Sequence, residues 1–168
     1  SQRPEIDPTR IVFLGIGEGG QVGALAVAGE GPYAAAILGS CAYDGMLFPG
    51  LPEHRARQVL APFYGWDAAQ LDAYLGASVG QWTQWLFDGE EDAAYLGRRV
   101  SLRGLREQAE TDLGDALSAS QVPILLLHGG GDAWTPVDGA RALEARVRQA
   151  GVDITLHVYD GLGADLAA

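Results

Sequence analysis

The feature that most constrains this chain is an apolar run, Ile11-Val12-Phe13-Leu14, that breaks into the glycine cluster Gly15-Ile16-Gly17-Glu18-Gly19-Gly20 before a small-residue stretch from Gln21 to Ala28. A short apolar run bounded by turn residues reads as a buried strand, and the Ala- and Leu-containing stretch has the propensity of a helix. Strand, tight turn and helix in that order begin a βαβ unit. Two further runs have the same character: Ala34 to Leu38, ending at Gly39-Ser40, and Val122 to Leu127, ending at His128-Gly129-Gly130-Gly131-Asp132. Continuous rather than alternating apolarity is the pattern of interior parallel strands. From Pro136 to Gln149, Ala140, Leu143 and Val147 share one helical face, with Arg141, Arg146 and Arg148 elsewhere, and Gly151 closes the helix. Ile154 to Tyr159 then alternates as a fourth strand. The expected fold class is α/β: a parallel sheet with flanking helices and right-handed crossovers.

Between the second and third strands lies a long insertion, 43–120, carrying Trp66, Trp82, Trp85 and Phe87 among helical stretches. It is expected to be a helical cap whose aromatics pack as core, since large aromatic area dominates such interiors. At 168 residues the chain suffices for one domain with a real core, so 1–168 is taken as a single unit containing that insertion.

Charge removes several classes of partner. A net charge of −11 repels phosphate backbones and acidic membranes, so no nucleic-acid partner is expected. One cysteine and three scattered histidines offer no zinc-ligand spacing, and no metal or cofactor is expected. No stretch has the roughly 20 apolar residues of a membrane span, and Ser1 to Arg10 lacks the order of a signal peptide.

A glycine turn from strand to helix has two chemical uses. Gly15, Gly17 and Gly20 satisfy G-x-G-x-x-G, in which glycines let a pyrophosphate approach a helix N-terminus. A dinucleotide site also wants an acid near the end of the next strand, and the first acid there, Asp44, comes several residues late. Gly15 and Gly19 equally satisfy the nucleophile elbow G-x-S-x-G, with Gly17 standing where the nucleophile belongs.

Here the sequence resembles a known family. The segment DPTRIVFLGIGEGG is similar to the approach to the elbow in α/β-hydrolases of the esterase and acyl-peptidase type, which commonly reads G-H-S-E-G-G. VPILLLHGGGDAWTPVDGARAL resembles that family's strand ending in His-Gly, its triad aspartate and the following turn into a helix, and ITLHVYDGLGADL resembles its last strand and the turn that presents the catalytic histidine. The resemblance implies the C-terminal half of the fold, from the elbow strand onward.

Carried over residue by residue, it puts the acid at Asp132, the nucleophile at Gly17 and the histidine at Ala164. Only the acid survives, and neither a glycine hydrogen nor an alanine methyl can act as nucleophile or base. The substitutes are Glu18 beside the elbow, and Cys41 and Asp44 past the second strand. Their ordinary readings are a residue following the elbow, a buried thiol and a turn or cap carboxylate. His128 reads as a core histidine, while His54 and His157 are poorly placed to serve as base. One oxyanion donor could follow position 17, but its partner loop in the family precedes the elbow strand.

The expected function is therefore a hydrolase-fold domain that is not an enzyme and acts in binding, assembly or support. One alternative is an esterase or peptidase with a displaced or externally completed site. The other is a dinucleotide-binding module. The first strand is also expected to present an apolar edge, Ile11 to Leu14, covered either by a second copy in a homodimer or by the remainder of a longer chain.

Overall fold

A computed structural model describes residues 6–29, 31–41, 50–87, 89, 91–95 and 98–166. In chain order the elements are β1 (Ile11–Ile16), α1 (Glu18–Ala28), β2 (Tyr33–Gly39), α2 (Gly50–Arg55), a π-helical turn (Ala56–Leu60), α3 (Ala61–Tyr64), α4 (Ala68–Phe87), β3 (Asp92–Tyr95), β4 (Arg98–Ser101), α5 (Leu102–Glu110), α6 (Leu113–Ser118), β5 (Ile124–Gly129), α7 (Val137–Gln149) and β6 (Ile154–Tyr159). A turn at Pro8–Arg10, capped by the Asp7 carboxylate, leads into β1.

The chain divides into two compact units, 1–44 with 112–168, and 45–111. The first holds a four-stranded sheet in the order β1-β2-β5-β6, parallel at every pairing. When successive parallel strands are added in one direction, right-handed crossovers place every connecting helix on the same face. The core follows that rule. Ala24 and Val27 of α1, Leu113 and Leu117 of α6, and Ala140, Leu143 and Val147 of α7 all pack with Ala36, Leu38, Ile124, Leu126 and Ile154 of the sheet. Gly23 makes room for this layer, because a Cβ there would run into Phe13 and Leu38.

The opposite face of the sheet carries Val12, Leu14 and Ile16 of β1, in register with Ala35, Ile37 and Gly39 of β2. Leu125 and Leu127, then Thr155 and His157, continue it across β5 and β6. Val12, Leu14 and Ile16 are 49%, 65% and 51% exposed. The apolar surface expected of Ile11 to Leu14 is present, and it lies on a sheet face as well as along an edge.

Helix α6 is held in the sheet unit by its own sequence. Asp112 caps it through the Asp115 N–H at 3.0 Å, and its carboxylate also takes Arg146 of α7 at 3.0 and 3.1 Å. Leu113 and Leu117, four residues apart, fall on one face and are buried. The sequence reading placed this segment within the 43–120 insertion, whereas here it packs on α1 and α7.

Unit 45–111 is helical for the most part and adds two short strands. β3 and β4 form an antiparallel pair, Asp92 opposite Ser101 and Tyr95 opposite Arg98, tied by Arg99 Nε donating to Asp92 at 2.9 Å. Asp92 to Tyr95 and Arg98 to Ser101 are too short to show alternation in the sequence. Among the aromatics, Tyr64 stacks on Trp66 at 5.3 Å and Trp66 lies 4.9 Å from Tyr74, while Phe87 is exposed. Arg106 of α5 donates to the Trp85 carbonyl at 2.7 Å, joining α5 to α4.

Candidate functional site

Ligands of open parallel sheets bind beyond the C-terminal ends of the strands, and Gly17, Cys41, Asp132 and Ala164 lie along that edge. Gly17 sits between β1 and α1 with φ 58° and ψ −126°, a strained combination for any side chain. Its N–H donates to the Gly39 carbonyl at 2.8 Å, and its own carbonyl accepts from Gly20 at 3.0 Å. A Cβ built at Gly17 meets nothing within 4 Å, so the turn points position 17 into open space. Gly15 is the opposite case: a Cβ there would strike the Gly19 carbonyl. Gly20 is fixed likewise by Cys41, whose side chain occupies the space a Cβ would need. The elbow's small residues are thus packing requirements of the strand-to-helix turn, while Gly17 itself is conformational.

Glu18 is the first residue of α1 and is exposed, where the positive end of the helix favours a carboxylate. Its N–H belongs to the first turn, whose donors have no acceptor within the helix. Cys41 is buried, and burial pushes its thiol up to about 12. A thiol held protonated is a poor nucleophile. Asp44 lies outside the described residues.

Asp132 follows β5 in a tight turn. Its Oδ1 accepts from the N–H groups of Trp134 at 2.8 Å and Thr135 at 2.9 Å, and its own N–H donates to Gly129 at 3.1 Å. The carboxylate is buried, with Oδ2 3.7 Å from His128 Nε2. His128, fully buried, also directs Nε2 at the Thr135 carbonyl at 3.1 Å. The turn after β6 is tied to this loop by Gly130 N–H to Tyr159 at 2.9 Å and Gly131 N–H to Leu162 at 3.0 Å. Ala164 lies in that turn, half-buried. Gly17, Cys41, Asp132 and Ala164 therefore stand on four consecutive strand-end turns, while His157 is exposed on the open sheet face and His54 belongs to the other unit.

One residue at this edge was missed in the sequence. Ser40 follows β2 with φ 46°, unusual for a residue with a side chain, and it is 4% exposed. Its N–H donates to Leu127 at 2.8 Å. Ser40 Oγ and His128 Nδ1 are both buried without a hydrogen-bond partner among the described residues. A serine immediately after a strand-ending glycine was the available signal, but its burial depends on register. A cavity of about 310 Å³ lies at the other end of the sheet, lined by Val27, Tyr33, Gln121 and Val122 among others, remote from all of these groups.

No protein-family model matches the chain. Over 123 residues it is 30% identical to a non-heme chloroperoxidase of Burkholderia pyrrocinia, covering 71% of this chain and 40% of that protein. Among solved structures, Est1E from Butyrivibrio proteoclasticus superposes with a TM-score of 0.58 at 18% identity, over 95% of this chain and 55% of that one. The chain is a relative of the α/β-hydrolase superfamily. An acylaminoacyl peptidase of Pyrococcus horikoshii agrees in fold, with a TM-score of 0.56 at 14% identity over 96% of this chain and 21% of its own. This α/β-hydrolase relative thus spans well under two thirds of the length of each.

Proposed function

We propose that this α/β-hydrolase-fold chain is non-catalytic and acts in binding or assembly. The observation that carries the reading is Gly17: the elbow geometry is kept and the position faces open space, yet it holds no nucleophilic atom. Three neighbouring facts support it. The turn after β6 offers Ala164 where a base is required, the Cys41 thiol is buried and held protonated, and the Asp132 carboxylate is engaged by the turn N–H groups of Trp134 and Thr135. Acyl transfer needs a nucleophile and a base within hydrogen-bond reach. Against dinucleotide binding, β2 ends in Gly39, Ser40 and Cys41 without an acid to hold ribose hydroxyls.

The test combines turnover of a p-nitrophenyl ester with labelling by a fluorophosphonate and by a thiol-reactive iodoacetamide, all on the native chain. Expected are hydrolysis at the rate of buffer, no fluorophosphonate adduct, and alkylation of Cys41 only after denaturation. Turnover abolished by Asp132→Asn or Cys41→Ser would instead establish a hydrolase with a displaced site.

A further inference from the structure

We propose that the cavity at the N-terminal end of the parallel sheet is a binding site for a small primary ammonium ion with an apolar body, an alkyl or aralkyl amine. The cavity holds about 310 Å³, at the small end of the range for ligand pockets. In parallel βα units the helices run against the strands, so their C-termini gather at this end. Val27 and Ala28 of the last turn of α1, the following Gly29, and Ala119, which ends α6, stand on its wall beside Tyr33 and Val122.

The helix ends set the sign of the ligand. The last carbonyls of a helix have no partner within it and carry the negative pole of its dipole. Elsewhere in the sheet unit that pole is served. Arg146 and Arg148 stand in the last turn of α7, and the Ala119 and Ser120 N–H groups close α6 onto the carbonyls of Ala116 and Leu117. Helix α1 has no basic residue in its last turn, and it ends at an extended Gly29, φ −93° and ψ −179°. The left-handed residue whose turn usually folds N–H groups back onto the last carbonyls is therefore missing there. Among the described residues, Ser120 Oγ reaches this end from outside the helix, donating to the Val27 carbonyl at 3.2 Å.

The remaining groups of the lining favour the same ligand. Donors are spent on neighbouring acceptors: the Gly31 N–H on the Gly29 carbonyl at 2.9 Å, the Val122 N–H on Ser120 Oγ at 3.3 Å, and the Gln121 amide on the Ala119 carbonyl at 3.4 Å. An anion would have to compete for them, whereas an ammonium brings three donors and asks for no donor in return. Val27, Tyr33 and Val122 offer its apolar body a wall. The Tyr33 ring is held in place, packed edge to face with Phe13 at 5.6 Å and lying across Gly31, where a Cβ would strike it. Ring faces attract cations. A net charge of −11 adds to this by enriching cations and depleting anions near the surface.

The test is a titration of the full chain at neutral pH, followed by proton–nitrogen correlation spectra, with benzylamine, benzyl alcohol and benzoate as probes of one ring size and different charge. Benzylamine, protonated there, should move the Ala28, Gly29, Gly31 and Ala119 amides saturably. Benzyl alcohol should bind about 10-fold more weakly for want of a charged donor, and benzoate should not bind. Tyr33→Leu should weaken benzylamine about 2- to 5-fold. Ala28→Lys sets an ammonium on the same carbonyls from within the chain, so it should raise the melting temperature and abolish benzylamine binding. Gln121→Lys, at an exposed position of the lining, should also exclude the amine. Melting curves verify that the variants are folded. Equal binding of benzylamine and benzyl alcohol, no saturable shift up to about 50 mM, or binding left intact by both folded lysine variants overturns the site. None of these outcomes involves Gly17 or ester turnover, so the site stands or falls separately from the non-catalytic reading.

Discussion

Gly15 and Gly17 are two residues apart in one turn, yet the physics that demands glycine differs. At Gly17 the backbone conformation is costly while space is free; at Gly15 the neighbouring backbone of Gly19 leaves no room for a methyl group. Substitutions should therefore respond differently to size. Gly17→Ala and Gly17→Ser should each cost about 1–3 kcal/mol, nearly equal to one another, because the penalty is torsional. Gly15→Ala should cost about 1–3 kcal/mol or more, and Gly15→Ser more again, because the helix must move to accommodate each added atom. Urea unfolding of the four variants checks this, and a size dependence at Gly17 would contradict it. The motif spacing in the sequence correctly marked both glycines as special, but only φ and the neighbouring carbonyl separate their reasons. Ser40 stayed hidden for a related cause: nothing in the residue type announces that its polar side chain will be buried at the end of β2.

At the scale of elements, legibility followed the strength of the local signal. β1, β2, β5 and β6 are apolar runs or alternations bounded by glycine or turn residues, and α7 has a clear apolar face, so each was readable before the register was known. Helix α6 is six residues long and reads as part of the insertion. Its place is set by contacts distant in sequence, Leu113 and Leu117 against α1 and Asp112 with Arg146. That ion pair yields a prediction. Burial alone would raise the Asp112 carboxyl, but the Asp115 N–H and the Arg146 guanidinium outweigh it and hold the group below its usual range. A carboxylate held low in the folded state contributes stability above its unfolded value near 4 that is lost as pH falls through the lower folded value. Asp112→Ala should remove a helix cap worth about 1 kcal/mol near neutral pH. The difference from the parent should shrink below about pH 4 as the parent's carboxylate is protonated. Paired thermal melts at pH 7 and pH 3 measure it, and an equal deficit at both would show that the charge does not matter.

For the whole molecule, the order of four strands decides more than any single motif. One direction of strand addition and one crossover hand put every helix of the sheet unit on one side, leaving an apolar face on a chain of net charge −11. Sequence reading found the apolar run Ile11 to Leu14 but described it as an edge, because the faces of a sheet cannot be assigned until its neighbours and register are known. Register resolves the two faces of β1: Phe13 packs with the helix-side core while Val12, Leu14 and Ile16 stand about half exposed or more on the opposite face, because successive side chains of a strand alternate.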